Sequence, residues 1–377
     1  MSRQNVLQSL KDCRGVDYEH ASSMPADYYV SEEFLQLEIE QLFYRQWICL
    51  GRQEEIPDSG DYFVAELINE SVLIVRDKQQ QIRAYANVCR HRGTPVASGR
   101  GNTRHFVCPY HAWTYDTSGK LLQTPHVKRD ECSGEGLAEF RCEIWSGFIY
   151  VNLDSNAQDL APQLTGLEQL VHNYHMEEMS LRYSSEGLWN TNWKCLAENF
   201  MEGYHLSHVH RTSLHPITPT HLCEHFEPGP AYLGFMSGYP ADLPVRGNSH
   251  SDVTDQQRKR SVMFSVLPAH VVGLGSHAMF FLQLQPRGVN KVHARLGISI
   301  FDDDLPAAEV DQMSEFFEHV MLEDKVQLEA LFKGLSSRFH KPGVLAPRDY
   351  EGTVLDYYRY MDTLLNTSSA NKMASSE

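Results

Sequence analysis

The sequence predicts an α+β protein built from two domains. Three observations carry this. At 377 residues the chain is longer than one ordinary domain. Its first half holds short strands at close spacing, the pattern of an all-β unit. Its second half sets alternating apolar segments beside one long helix-period stretch, Val310 to Ser336.

Residues 1–30 are polar, and Ser22-Ser23-Met24-Pro25 marks irregular structure. From Ser31, Phe34, Leu35, Ile39, Leu42 and Phe43 recur at helical spacing, with Ser31 as cap and Glu32 and Glu33 in the first turn. Strands are expected over Tyr62–Ala65, Val72–Val75 and Ile82–Tyr85, separated by polar turns. Thr114 to Leu121 reads as a hairpin, and Phe148 to Leu153 closes the unit near Asp154. Residues 160–180 suggest a helix and a linker. Leu181 to Trp193 reads as a strand broken at Gly187, and 225–258, rich in Pro, Gly, Asp and Ser, as one long loop. Val262–Pro268, Met279–Pro286 and Val292–Phe301 read as strands. The division is therefore an N-terminal arm and helix at 1–44, packing with the second domain, then domains at 45–155 and 156–366. A flexible polar tail follows at 367–377.

The first site lies in the all-β unit. Cys89-Arg90-His91 is followed after sixteen residues by Cys108-Pro109-Tyr110-His111. Two thiolates and two imidazoles, one of each per loop, suit an asymmetric [2Fe–2S] centre with one iron held by sulfur and the other by nitrogen, the Rieske cluster. Zinc also takes two Cys and two His, but zinc fingers pair like with like along the chain. Gly93-Thr94-Pro95 and Pro109-Tyr110 supply the tight turns such loops need.

Such a cluster moves single electrons and does no substrate chemistry, so a destination is expected. Residues 197–210 supply it, with His205, His208 and His210 at the end of an apolar helical stretch. Two histidines and one carboxylate make the facial triad of non-haem Fe(II), open on one side. His205 and His208 converge on a regular helix, whereas His205 and His210 converge only where the helix ends or kinks. The ordinary reading of each is a core or surface histidine. For the carboxylate, the long helix offers Glu323 and Asp324. Asp324 shares a face with Phe317, Val320, Met321, Leu328 and Leu331; Glu323 shares one with Phe316, His319, Gln327 and Ala330. Asp324 is thus buried, where a lone carboxylate needs a partner or a metal, and Glu323 is expected on a solvated face.

With both motifs in view, the chain resembles the α (terminal oxygenase) subunits of the Rieske non-haem iron oxygenases over most of its length. The match runs through Cys89, His91, Cys108 and His111, then Asn192-Trp193-Lys194, Glu198-Asn199 and Glu202-x-x-His205-x-x-x-x-His210. The resemblance implies an all-β Rieske domain and a catalytic domain whose antiparallel sheet is flanked by helices holding mononuclear Fe(II). It implies His205, His210 and Asp324 as iron ligands, with Asn199 near the iron. It implies a homotrimer, with or without small β subunits, in which an electron crosses between subunits from a cluster histidine, by loop position His91 or His111 with His111 favoured, through an acidic bridge to His205. That bridge is Asp in most of the family and Glu202 here, as in the branch acting on carnitine and related quaternary ammonium compounds. The plain alternative makes Glu202 a solvated helix acid.

The implied activity is oxidation of a small organic substrate with O2. Electrons from NAD(P)H would come through a separate flavin/iron–sulfur reductase, directly or through a ferredoxin. The chain has no Gly-x-Gly-x-x-Gly turn and no plant-type ferredoxin cysteine run of its own. A quaternary ammonium substrate is expected, with a small aromatic acid as the alternative. A Rieske electron-transfer protein without oxygenase activity is the alternative of another class, but it would leave two hundred residues unexplained. Tyr204, Phe226, Tyr232, Phe235 and Tyr239 could cage a cation or be ordinary core.

The formal charge of −16 argues against nucleic acid. Cys13, Cys49, Cys132, Cys142, Cys195 and Cys223 show no disulfide spacing, and no apolar leader or bilayer-length run is present. A reduced, cytoplasmic protein off the membrane is expected.

Overall fold

The computed structural model describes residues 3–127, 136–245, 247–301 and 305–374; Cys132 lies outside them. The chain divides into two compact units, 43–158 and the pair 1–42 with 159–377.

In the first unit the strands are β1 (Ile48–Arg52), β2 (Asp61–Leu67), β3 (Glu70–Arg76), β4 (Ile82–Ala86) and β5 (Arg100–Asn102). They continue as β6 (His105–Val107), β7 (Thr114–Asp116), β8 (Leu121–Gln123), β9 (Glu139–Trp145) and β10 (Phe148–Asn152). A seven-stranded sheet runs β1-β10-β9-β4-β3-β2-β5, and β6-β7-β8 form a separate small sheet. Alternation along β2 and β3 turns Leu73 and Val75 inward, where they meet Tyr85, Phe106, Trp113, Tyr115 and Leu121. Cys89 and Cys108 belong to this same core.

The second unit is organised on β11 (Ser180–Trp189), β12 (Cys223–His225), β13 (Tyr232–Gly238), β14 (Arg260–Val266), β15 (His270–Leu274), β16 (Ala278–Pro286) and β17 (Val292–Ile300). These make an antiparallel sheet in the order β11-β17-β16-β15-β14-β13-β12. A helix over Trp193–Phe200 is capped by the Asn192 side chain, which accepts from Lys194 N at 3.0 Å. Long helices follow over Ala307–Leu335 and Arg348–Ala374. The expected cap at Ser31 is present, accepting from Phe34 N, and the helix it starts passes into a π turn over Ile39–Phe43.

Several elements depart from the expectations. Gly187 does not break its strand: it pairs with Ala294 in a ladder unbroken from Tyr183 to Trp189, and Trp193 opens the next helix. The stretch 225–258 is not one loop, because β13 lies within it and pairs residue by residue with β14. The helix from Arg348 was not anticipated. Its backbone continues to Ala374, through most of the stretch where the composition predicts a frayed tail.

Candidate active site

The two ligand loops of the first unit are built alike. Cys89 N donates to Thr94 O and Cys89 O accepts from Gly93 N; Cys108 N donates to Trp113 O and Cys108 O accepts from Ala112 N. The fifth residue of each loop has positive φ, 83° at Gly93 and 57° at Ala112. Glycine tolerates this without cost, whereas Ala112 is held there by its surroundings. The loops bury both thiols and leave both imidazoles exposed, with His91 Nδ1 and His111 Nδ1 facing one another at 3.1 Å. His91 stacks on Trp113 at 4.9 Å between ring centroids, and the Tyr115 hydroxyl lies 3.4 Å from Cys89 Sγ. Neither cysteine is in a disulfide. Among the described residues, no three of these four ligands bring their donor atoms within 4.8 Å of one another. A single tetrahedral zinc would need that closeness, whereas a two-iron cluster spaces the pairs apart.

In the second unit the helix Trp193–Phe200 stops at Met201, and a short 3-10 turn begins at His205. The break lets residues five apart converge. His205 Nε2 and His210 Nε2 lie 3.7 and 3.1 Å from Asp324 Oδ1. His208 points away, exposed and hydrogen-bonded to Ser207. Asp324 is 1% exposed and neither of its oxygens has a hydrogen-bond partner, as expected of a carboxylate placed for a cation.

The other nitrogen of each ring is held by a carboxylate. His205 Nδ1 donates to Glu202 Oε1 at 2.6 Å, and Glu202 Oε2 accepts from the backbone N of His205 at 3.0 Å and of Tyr204. Glu202 is 12% exposed, so it is not a solvated helix acid. His210 Nδ1 donates to Glu323 Oε2 at 2.8 Å, and Ser213 Oγ donates to the same oxygen at 2.6 Å. The expectation of a solvated Glu323 is corrected: its neighbours come from a distant turn that helix periodicity does not reveal. Burial opposes a charged His205, but Glu202 and Asp324 outweigh it and raise the imidazole to about 9. Burial also works to raise Glu323, yet hydrogen bonds from Ser213 and His210 hold its carboxyl below the usual range. The surroundings therefore favour positive charge, and the donor set N, N, O with an open side fits Fe(II).

The triad lies at the wall of a cavity of about 540 Å³, lined near it by Asn199, Phe200, Met263, Phe280, Phe317 and Val320. Asn199 Nδ2 has no hydrogen-bond partner. Of the five aromatic cage candidates, Phe235 and Tyr239 line the cavity. Tyr204 is exposed and stacks parallel to Tyr350, while Phe226 and Tyr232 pack on each other.

Residues 46–141 match the Rieske [2Fe-2S] domain model, and residues 168–367 match the model of the ring hydroxylating alpha subunit catalytic domain. The carnitine monooxygenase oxygenase subunit of Escherichia coli K12 is 32% identical over 198 residues, covering 51% of this chain and 53% of that protein. The glycine betaine monooxygenase oxygenase subunit of Pseudomonas aeruginosa PAO1 is 30% identical over 195 residues, covering 51% and 46%. The chain thus spans about half the length of the curated relatives it matches. Among solved structures, the quaternary ammonium Rieske monooxygenase CntA with L-carnitine superposes with a TM-score of 0.81 at 22% identity, covering 93% of this chain and 97% of that one. Naphthalene 1,2-dioxygenase from Rhodococcus with indole gives 0.80 at 20% identity, covering 97% and 98%. Both show the fold.

Proposed function

The chain belongs to the ring-hydroxylating alpha-subunit family, with that family's catalytic domain following a Rieske [2Fe–2S] domain, and on that premise we propose that it is the terminal oxygenase of a multicomponent system. A separate NAD(P)H-dependent reductase supplies the electrons, directly or through a ferredoxin. The reaction is monooxygenation of a quaternary ammonium compound: one oxygen atom enters a C–H bond beside nitrogen, and two electrons and two protons carry the other to water. A carbon hydroxylated there then parts from nitrogen, leaving an amine and a carbonyl compound such as formaldehyde.

The observation that carries this reading is the triad His205, His210 and Asp324, with the Asp324 carboxylate facing both imidazoles, without a hydrogen-bond partner, at the wall of an apolar cavity. Iron, when bound, supplies O2 activation; the rest is the work of this chain. Cys89, His91, Cys108 and His111 hold the cluster. Glu202 and Glu323 fix the tautomers of the two ligand histidines, so that both Nε2 lone pairs face Asp324. The apolar walls exclude water, and Asn199 offers an amide donor toward substrate. Glu202 is the bridge from a cluster histidine of a neighbouring copy, which makes a homotrimer the working assembly. Phe200, Phe235, Tyr239, Phe280, Phe316 and Phe317 line the cavity, and aromatic rings suit a quaternary nitrogen. The organisation 1–44, 45–155 and 156 onward belongs to the same reading.

A second reading, oxidation of a small aromatic acid, is favoured by Arg258 and Lys259 in the cavity lining, which would receive a carboxylate. The test is a single turnover of iron-replete, chemically reduced protein with O2 and pooled quaternary amines or aromatic acids, read by mass spectrometry and a formaldehyde assay. Amine products support the first reading. Products from the aromatic pool alone support the second, and no oxidised product from either sinks both.

A further inference from the structure

Outside the iron site, the described residues hold another histidine–carboxylate group, His175, His250 and Asp252, whose donor atoms lie within 4.8 Å of one another. His175 follows the 3-10 turn His172–Tyr174, with φ 48° and ψ 55°, a left-handed conformation uncommon for a residue with a side chain. His175 Nε2 lies 2.9 Å from Asp252 Oδ2, and His250 Nδ1 lies 3.6 Å from that same oxygen. Donors about 2.0–2.2 Å from one ion stand roughly 3–3.5 Å apart, so the His175–Asp252 separation is close to an edge of a coordination set and the His250–Asp252 separation slightly longer, while the two imidazoles lie against each other with ring centroids 3.7 Å apart and must tilt to share an ion. The far nitrogen, His175 Nδ1, faces Glu177 Oε1 at 3.4 Å and Glu178 Oε1 at 3.8 Å. A carboxylate behind a histidine is the arrangement that fixes a ligand ring and raises its basicity. The two imidazoles are 24% and 22% exposed and Asp252 is 55% exposed, so water can complete the coordination.

We propose that His175, His250 and Asp252 form a second cation site, for a divalent transition metal of the zinc class, separate from the mononuclear iron. Imidazole with carboxylate suits zinc, nickel or copper better than calcium or magnesium. In the metal-free state His250 Nδ1 accepts from Asp252 N at 3.1 Å, and the cation takes over that lone pair. Its place in the fold gives the site a consequence. His250 and Asp252 lie on the stretch 247–259, which lends Gly247, Arg258 and Lys259 to the cavity wall. His175 lies on the segment before β11. Between the two, Asn173 Nδ2 donates to Gln257 Oε1 at 3.3 Å. A bound ion therefore fastens one wall of the cavity to the body of its unit. This inference does not depend on which substrate is oxidised.

The test uses tag-free, iron-loaded, full-length protein titrated calorimetrically with Zn2+, alongside His250→Ala and Asp252→Ala. About one further equivalent is expected to bind the parent protein, weakened about tenfold or more in each variant. Both variants should keep their mononuclear iron. Hydrogen exchange gives an independent measure: Zn2+ should slow the amides of 247–259 in the parent and leave the variants unchanged. Equal Zn2+ affinity in parent and variants would overturn the proposal. So would Zn2+ uptake that disappears only when the iron site is mutated, or unchanged exchange over 247–259.

Discussion

His210 Nδ1 donates to Glu323 Oε2 at 2.8 Å, and Glu323 immediately precedes Asp324, the proposed third ligand, whose Oδ1 lies 3.1 Å from His210 Nε2. One turn of the long helix thus supplies two carboxylates to the centre, one to the metal position and one behind a ligand ring. Glu323→Ala is expected to weaken Fe(II) binding by about 10–100-fold, with Glu323→Gln retaining more of it. Equilibrium dialysis with Fe(II) checks this; parent-like affinity in Glu323→Ala would leave the contact without consequence.

Asp324→Ala should abolish both mononuclear iron and substrate oxidation, because it removes the buried carboxylate that faces both Nε2 atoms. The [2Fe–2S] absorption and its reduction should persist, since those ligands lie in the other unit. Unchanged turnover in this variant would refute the iron triad.

Glu202→Gln is expected to keep the iron and lower reductase-driven turnover by roughly 10–100-fold, because Glu202 orients His205 and, in the proposed assembly, receives the electron from a cluster histidine. Reoxidation of the reduced cluster by O2 with substrate present should slow in parallel. Parent-like reoxidation would confine Glu202 to orienting the ring.

Gly93 and Ala112 occupy equivalent left-handed positions in the two cluster loops, so opposite substitutions should move stability in opposite directions. Gly93→Ala should cost about 1–2 kcal/mol, and Ala112→Gly should be neutral or stabilising. Thermal unfolding of the cluster-loaded protein distinguishes them. Equal effects would mean that the loops are not equivalent under load.

Glu198 is buried beside Tyr29, which donates to it at 2.7 Å, and burial raises its carboxyl to about 8 against the lowering effect of Tyr29 and Lys194. It therefore stays protonated in the fold where the unfolded chain has already released the proton. The unfolded state binds fewer protons between about pH 4.5 and 8, so stability falls as pH rises across that window. Glu198→Gln keeps the acceptor and should flatten the fall by on the order of 1 kcal/mol or more, roughly 2–4 °C in Tm near pH 8. Parallel Tm–pH curves for parent and variant would contradict this.

Legibility followed how local each signal is. The cluster loops could be read because each places its Cys and His within four positions, and Asp324 because helix periodicity sets it among apolar neighbours. Glu323 could not, since Ser213 and His210 reach it from a turn more than one hundred residues earlier. Strands β13 and β15 were hidden by glycine, serine and proline, and exist because β14 and β16 offer them full ladders. The left-handed Ala112 carried no signal, because alanine does not announce positive φ as glycine does.

By itself the sequence pointed to the chemistry: a two-Cys, two-His pair of loops suited to the cluster, a helix carrying a buried acid, and two kinds of domain following one another. Only the tertiary structure decided orientation. It ended the helix at Met201 so that His205 meets His210 rather than His208, put Glu202 and Glu323 behind the two rings, and closed an apolar cavity around Asp324. The physical reason is one of scale. Local propensities differ by tenths of a kcal/mol per residue, whereas burying an unpaired carboxylate costs several, so partners distant in sequence settle what a local pattern leaves open.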